Sequence, residues 1–168
     1  MAPNPPAYAY IPGHWPHPSN DVNGHSYGVH ASPACALDLA SWQDCTTYMD
    51  GIWLFNEGYY WEAHEAWEAI WKLMGRHGIE EQFLKGLIKV AASGIKIRQG
   101  HGKAARSLLT QAAKHFENVE TRYSEKVAGG IRLSVMERWC RDFRDEVTDI
   151  SVNPAVKVEI VLPPLKLQ

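Results

Sequence analysis

The stretch Tyr59-Tyr60-Trp61-Glu62-Ala63-His64-Glu65-Ala66-Trp67-Glu68-Ala69-Ile70-Trp71 decides the fold. At about 100° per residue, Ile70, Trp67, Tyr60 and Trp71, with Met74 beyond, form one continuous apolar arc, so the period is helical. His64 and Glu68 follow at the edge of the arc, and Trp61 lies just past them. Their i,i+4 spacing stacks both side chains on one face of the helix. Glu62 and Glu65 point elsewhere and are expected to stay solvated. An imidazole and a carboxylate thus share a site walled by Trp61, Trp67 and Trp71.

Outward from this helix, about Tyr59 to Met74, the same period continues in both directions. Upstream, Ser41-Trp42-Gln43-Asp44 resembles a capping box, and Cys45, Tyr48, Met49, Ile52 and Phe55 form a buried stripe until Asn56-Glu57-Gly58 breaks it. Downstream, a helix from about Glu80 to Arg98 turns Leu84, Leu87, Ile88, Ala91 and Ile95 inward, with Lys85, Lys89 and Lys96 largely outward. Gly100 and Gly102 bracket a turn into a fourth helix, Lys103 to Val119, with Ala105, Leu108, Leu109, Ala112 and Phe116 inward. Gly129-Gly130 precede a fifth, Leu133 to Val147, carrying Val135, Met136, Trp139, Cys140 and Phe143. Short connections between successive helices predict an all-α bundle over residues 34–150.

Both flanks are of other material. Residues 1–33 hold seven of the ten prolines and a single Asp or Glu, Asp21, with no Lys or Arg. Proline blocks helix, while Tyr8, Tyr10, Ile11, Trp15 and Tyr27 are too aromatic for a disordered tail. An ordered, extended arm laid across the bundle is expected. In residues 151–168, Val156, Val158, Ile160 and Leu162 alternate with Lys157, Glu159 and Val161, a strand-like pattern. A lone strand needs a partner, either the arm or a second subunit, and the second option predicts a homodimer.

Composition narrows the function. The 168 residues carry a formal net charge of −2, without the basic excess of a general nucleic-acid binder. No apolar run is long enough to span a membrane, and no secretory signal opens the chain. Cys35, Cys45 and Cys140 stand in no ligand-like spacing, which predicts reduced thiols in a cytoplasmic protein.

The chemistry rests on the His64–Glu68 pair. Two ligands on one helix face suit a divalent ion such as zinc or iron, but zinc normally takes at least three from protein. The arm offers the rest: His17, held between two prolines, and His25 behind Gly24 are the expected additional ligands. His14 and Asp21 are further candidates on the arm, His101 is expected at the surface, and His30 is not assigned. If the site is catalytic, a metal-dependent hydrolase or oxidoreductase is the reading. Alternatively the pair is a hydrogen-bonded structural feature, and the chain is a non-enzymatic module whose Trp-lined pocket takes a small molecule or a protein partner. The His-Glu-x-x-His protease motif is not met, because Glu68 stands where its second histidine would be.

The segment from Phe55 to Trp71 resembles the hallmark of domain-of-unknown-function family 309. His64, Glu68 and Trp71 meet its His-x-x-x-Glu-x-x-Trp/Tyr pattern. Lys85-Gly86-Leu87-Ile88-Lys89 is similar to its Gln-Gly-Leu-Ile-Gln stretch, and Gly100-His101 followed by Ala104 to Leu109 to its third segment. The likeness covers about Met49 to Val119. It implies an all-α bundle and a metal role for the His/Glu pair, without supplying a reaction. The two lysines put cations where the family has amides; on a face turned into the site they would favour an anionic ligand.

Overall fold

The computed structural model describes residues 4–30, 32–75, 78–147 and 153–168. Among them five α-helices follow one another: α1 Thr46–Asn56, α2 Tyr60–Met74, α3 Ile79–Arg98, α4 Gly102–Arg122 and α5 Leu133–Glu146. Each packs on its neighbour in sequence, except that α4 meets α5 across a small hairpin, β1 Val127–Ala128 with β2 Ile131–Arg132. The all-α bundle expected from the periodicity is the observed architecture. The expected boundary at 150/151 lies outside the described residues.

The helix ends follow from local chemistry. Gly100 adopts φ +75°, its N–H donates to the Ile97 carbonyl at 2.8 Å, and the His101 N–H donates to the Lys96 carbonyl at 2.8 Å. This is a Schellman cap, and the left-handed residue in it is best a glycine. Gly129 and Gly130 both have positive φ, as the two-residue turn that matches strand twist requires. The capping box at Ser41–Asp44 does not form. Trp42–Asp44 is a short 3-10 turn with no side-chain cap from Ser41, and α1 starts at Thr46. Asp38 satisfies the local donors instead, its Oδ1 accepting the Ala40 N–H at 2.8 Å.

The core is filled from every helix. Trp67, Tyr60, Phe55, Phe83, Leu87, Leu109 and Phe116 are all essentially out of solvent. Close helix approach depends on small residues: a Cβ on Gly86 would stand 2.7 Å from the Phe116 ring, and one on Gly94 2.6 Å from Tyr60. One expected inward position differs. Val135 is exposed, because α5 turns only Leu133, Met136 and Cys140 fully inward.

The arm lies against the bundle through its first half. Tyr8, Ala9 and Ile11 are buried, the Tyr59 hydroxyl donates to the Pro6 carbonyl at 3.1 Å, and Gln99 Nε2 donates to the Pro12 carbonyl at 3.2 Å. Tyr27, expected to help anchor it, is exposed. The tail is extended but forms no β-ladder among the described residues. It is fixed one group at a time on its own chain. The Tyr60 hydroxyl accepts the Val161 and Leu162 N–H groups, each at 2.9 Å, and Asn56 exchanges two hydrogen bonds with Leu165. The fully buried Arg98 donates to the Val156 carbonyl at 2.6 Å. Ala9 N–H bonds the Lys157 carbonyl at 2.8 Å, so the tail meets the arm, and the alternation no longer calls for a second subunit.

The thiol expectation is overturned. Cys35 and Cys45 form a disulfide, with Cα atoms 5.5 Å apart; only Cys140 is free, and it is buried. A ten-residue separation across a loop is a geometry that spacing alone does not reveal, and with it goes the thiol argument for a reducing compartment. No helix among the described residues is long and apolar enough to cross a membrane.

Candidate metal and ligand site

The three tryptophans of α2 have three different surroundings. Trp67 is wholly buried, its Nε1 donating to the Tyr48 carbonyl at 3.4 Å. Trp61 is half-buried under the arm, edge-on to Tyr10 at 5.1 Å and to His17 at 5.5 Å between ring centroids. Trp71 faces α3, with Lys85 Nζ 5.9 Å above its ring. Ten helical residues advance about 15 Å along the axis, so Trp61 and Trp71 cannot wall one pocket.

His64 and Glu68 are brought together, and a third group joins them. One ligand atom each from His64, Glu65 and Glu68 lies within 4.8 Å of the other two. His64 Nδ1 is buried and lies 3.3 Å from Glu65 Oε1. The nearness of His64 is the main reason the Glu65 carboxyl sits below its ordinary range, against the opposing effect of burial. Glu68 Oε2 accepts from Lys72 Nζ at 2.7 Å, an i,i+4 pair on the rim. Glu65, expected to point elsewhere, joins the group although adjacent helical positions do not ordinarily face each other.

The arm histidines stand outside this group. His17 accepts the Ser19 and Asn20 N–H groups on Nδ1, each at 3.3 Å. His25 goes elsewhere: its Nε2 lies 3.0 Å from Glu62 Oε1. Glu62, expected to be solvated, is buried and also accepts the Tyr10 N–H at 3.0 Å. The aromatic arm shields this side of α2 from water, which is why a carboxylate one turn before the site needs internal partners.

Beyond Glu68, a cleft of about 320 Å³ opens between α2, α3 and α4, lined by Glu68, Trp71, Lys85, Lys89, Gln111 and His115. The lysines expected on the outward face of α3 are half-buried here. Lys85 Nζ is 2.5 Å from Glu81 Oε1. Burial works to raise the Glu81 carboxyl, but Lys85 and Gln82 outweigh it and hold it low. Burial, with the charges of Lys85 and Lys89, pushes His115 below the ordinary imidazole value.

Fold and site together define a helical bundle built around a His-x-x-x-Glu helix. The family model described as Domain of unknown function (DUF309) matches residues 48–108, from α1 into α4. No curated protein matches the chain.

Proposed function

We propose that the protein binds a divalent transition-metal ion through His64, Glu65 and Glu68. The observation that carries this reading is the convergence of one imidazole and two carboxylates, with one ligand atom of each within 4.8 Å of the others. A cation between them would take the imidazole lone pair and balance the charge of the two carboxylates. One imidazole and two carboxylates suit zinc or non-haem iron, and a three-ligand set leaves room for water. A bound ion of this kind supplies a Lewis acid and lowers the pKa of its water. The chain's own residues do the rest: Lys72 competes for Glu68, and Trp61 excludes water from the arm side.

The test is calorimetric titration of chelator-treated protein with Zn²⁺. One equivalent should bind to the native chain, with affinity at least about tenfold lower in His64→Ala and in Glu65→Gln, as loss of one ligand implies. Heat that is absent, or unchanged in both variants, would sink the reading.

A further inference from the structure

We propose that the α2–α3–α4 cleft is a binding site for a small planar organic anion, with its ring against Trp71 and its charge on Lys89. This goes beyond the metal reading and does not depend on it.

The charges of the cleft do not cancel. Glu68 is paired with Lys72 and Glu81 with Lys85. Lys89 has no hydrogen-bond or ion-pair partner among the described residues, yet it is half-buried and turned into the cleft. A partly desolvated, unpaired ammonium attracts an anion more strongly than a solvated one does.

The neighbours set what else the ligand must be. Gln82 Nε2 donates to Glu81 Oε2 at 2.8 Å, which fixes its amide and turns Oε1 to His115 Nδ1, 2.9 Å away. A carbonyl oxygen only accepts, so Nδ1 carries the proton, and the neutral ring keeps Nε2 as an acceptor. Trp71 offers an apolar face whose own N–H points to Glu81 at 3.5 Å. At about 320 Å³ the cleft is at the small end of ligand pockets, a size for one ring and its charged substituent.

The experiment is calorimetry with benzoate, its neutral counterpart benzamide and inorganic phosphate, with EDTA present throughout. Benzoate should bind the native chain, with benzamide and phosphate each at least about tenfold weaker, the size of one charge-assisted contact or one stacked ring. Lys89→Gln should lose about tenfold for benzoate, while Lys89→Arg stays within about threefold of native. Circular dichroism confirms that both variants are folded. Equal affinity for benzoate and benzamide, an unchanged Lys89→Gln, or phosphate as tight as benzoate overturns the proposal. So does benzoate binding that is absent with EDTA and seen only in a separate EDTA-free titration of Zn²⁺-treated protein, which would place the anion on a metal. Failure of Zn²⁺ to bind leaves the expected benzoate result unaltered.

Discussion

His25 Nε2 lies 3.0 Å from Glu62 Oε1 with the two side chains only 7% and 8% exposed, and this contact ties the arm to the helix that carries the candidate site. The same carboxylate oxygen accepts the Tyr10 N–H, so one side chain of α2 holds the arm at two points far apart in sequence.

Replacing Glu62 by alanine leaves His25 and the Tyr10 N–H without an acceptor in a buried place. The expected loss is about 1–3 kcal/mol of stability for groups left unsatisfied, read as a lower urea midpoint. Limited chymotrypsin digestion should then cut the arm at Tyr8 or Tyr10, positions protected in the native protein. Protection that persists in the variant would show that the aromatic contacts alone hold the arm.

Glu65 gives a pH signature. Its carboxyl is lower in the folded chain than the ordinary 4.5, so the interaction is fully present above that value and is lost as pH falls through the depressed one. His64→Ala should move the Glu65 titration back up, toward 4.5, in a carbon-detected NMR titration of the side-chain carboxyl. An unmoved curve would mean that His64 is not the cause.

Reduction of the Cys35–Cys45 disulfide should destabilise the protein by about 2–3 kcal/mol, the chain-entropy expectation for a loop of this length. Unfolding curves with and without dithiothreitol measure it. Alkylation of the oxidised native protein should label no cysteine, since Cys140 is buried; rapid labelling before unfolding would count against the disulfide.

Gly94 admits no side chain, because an added Cβ would stand 2.6 Å from the Tyr60 ring. Overpacking of this sort costs about 1–3 kcal/mol, and here it also shifts the hydroxyl that holds Val161 and Leu162. Gly94→Ala should therefore lower the denaturation midpoint and expose the tail to carboxypeptidase together. A midpoint within error of native would mean that α2 and α3 can separate freely at this contact.

The helices were legible because the 3.6-residue period is strong in each; α3 and α5 begin within one residue of their expected starts. The flanks were less so. Alternation in the tail was read as a strand, but its N–H groups are taken up by the Tyr60 hydroxyl and the Asn56 side chain, partners about a hundred positions away. Such bonds leave no local pattern. The site divides in the same way. The i,i+4 relation of His64 and Glu68 is helical geometry and could be read directly, whereas Glu65 joins by side-chain rotation. His25 was expected at His64 and meets Glu62, since nothing in an arm's sequence says which turn of α2 it reaches.

The bond between Ala9 and Lys157, supported by Trp15 Nε1 donating to the Pro154 carbonyl 139 positions away, sets an order of events in folding. Closing so long a loop through an unfolded chain is entropically expensive, whereas the helix pairs are neighbours in sequence and form fast. The five helices therefore assemble before the two flanks can find each other, and the arm seats last, on a surface that does not exist until the bundle does. Trp15 then becomes a clock: its environment changes in the final kinetic phase, after the helical signal has already reached its native value.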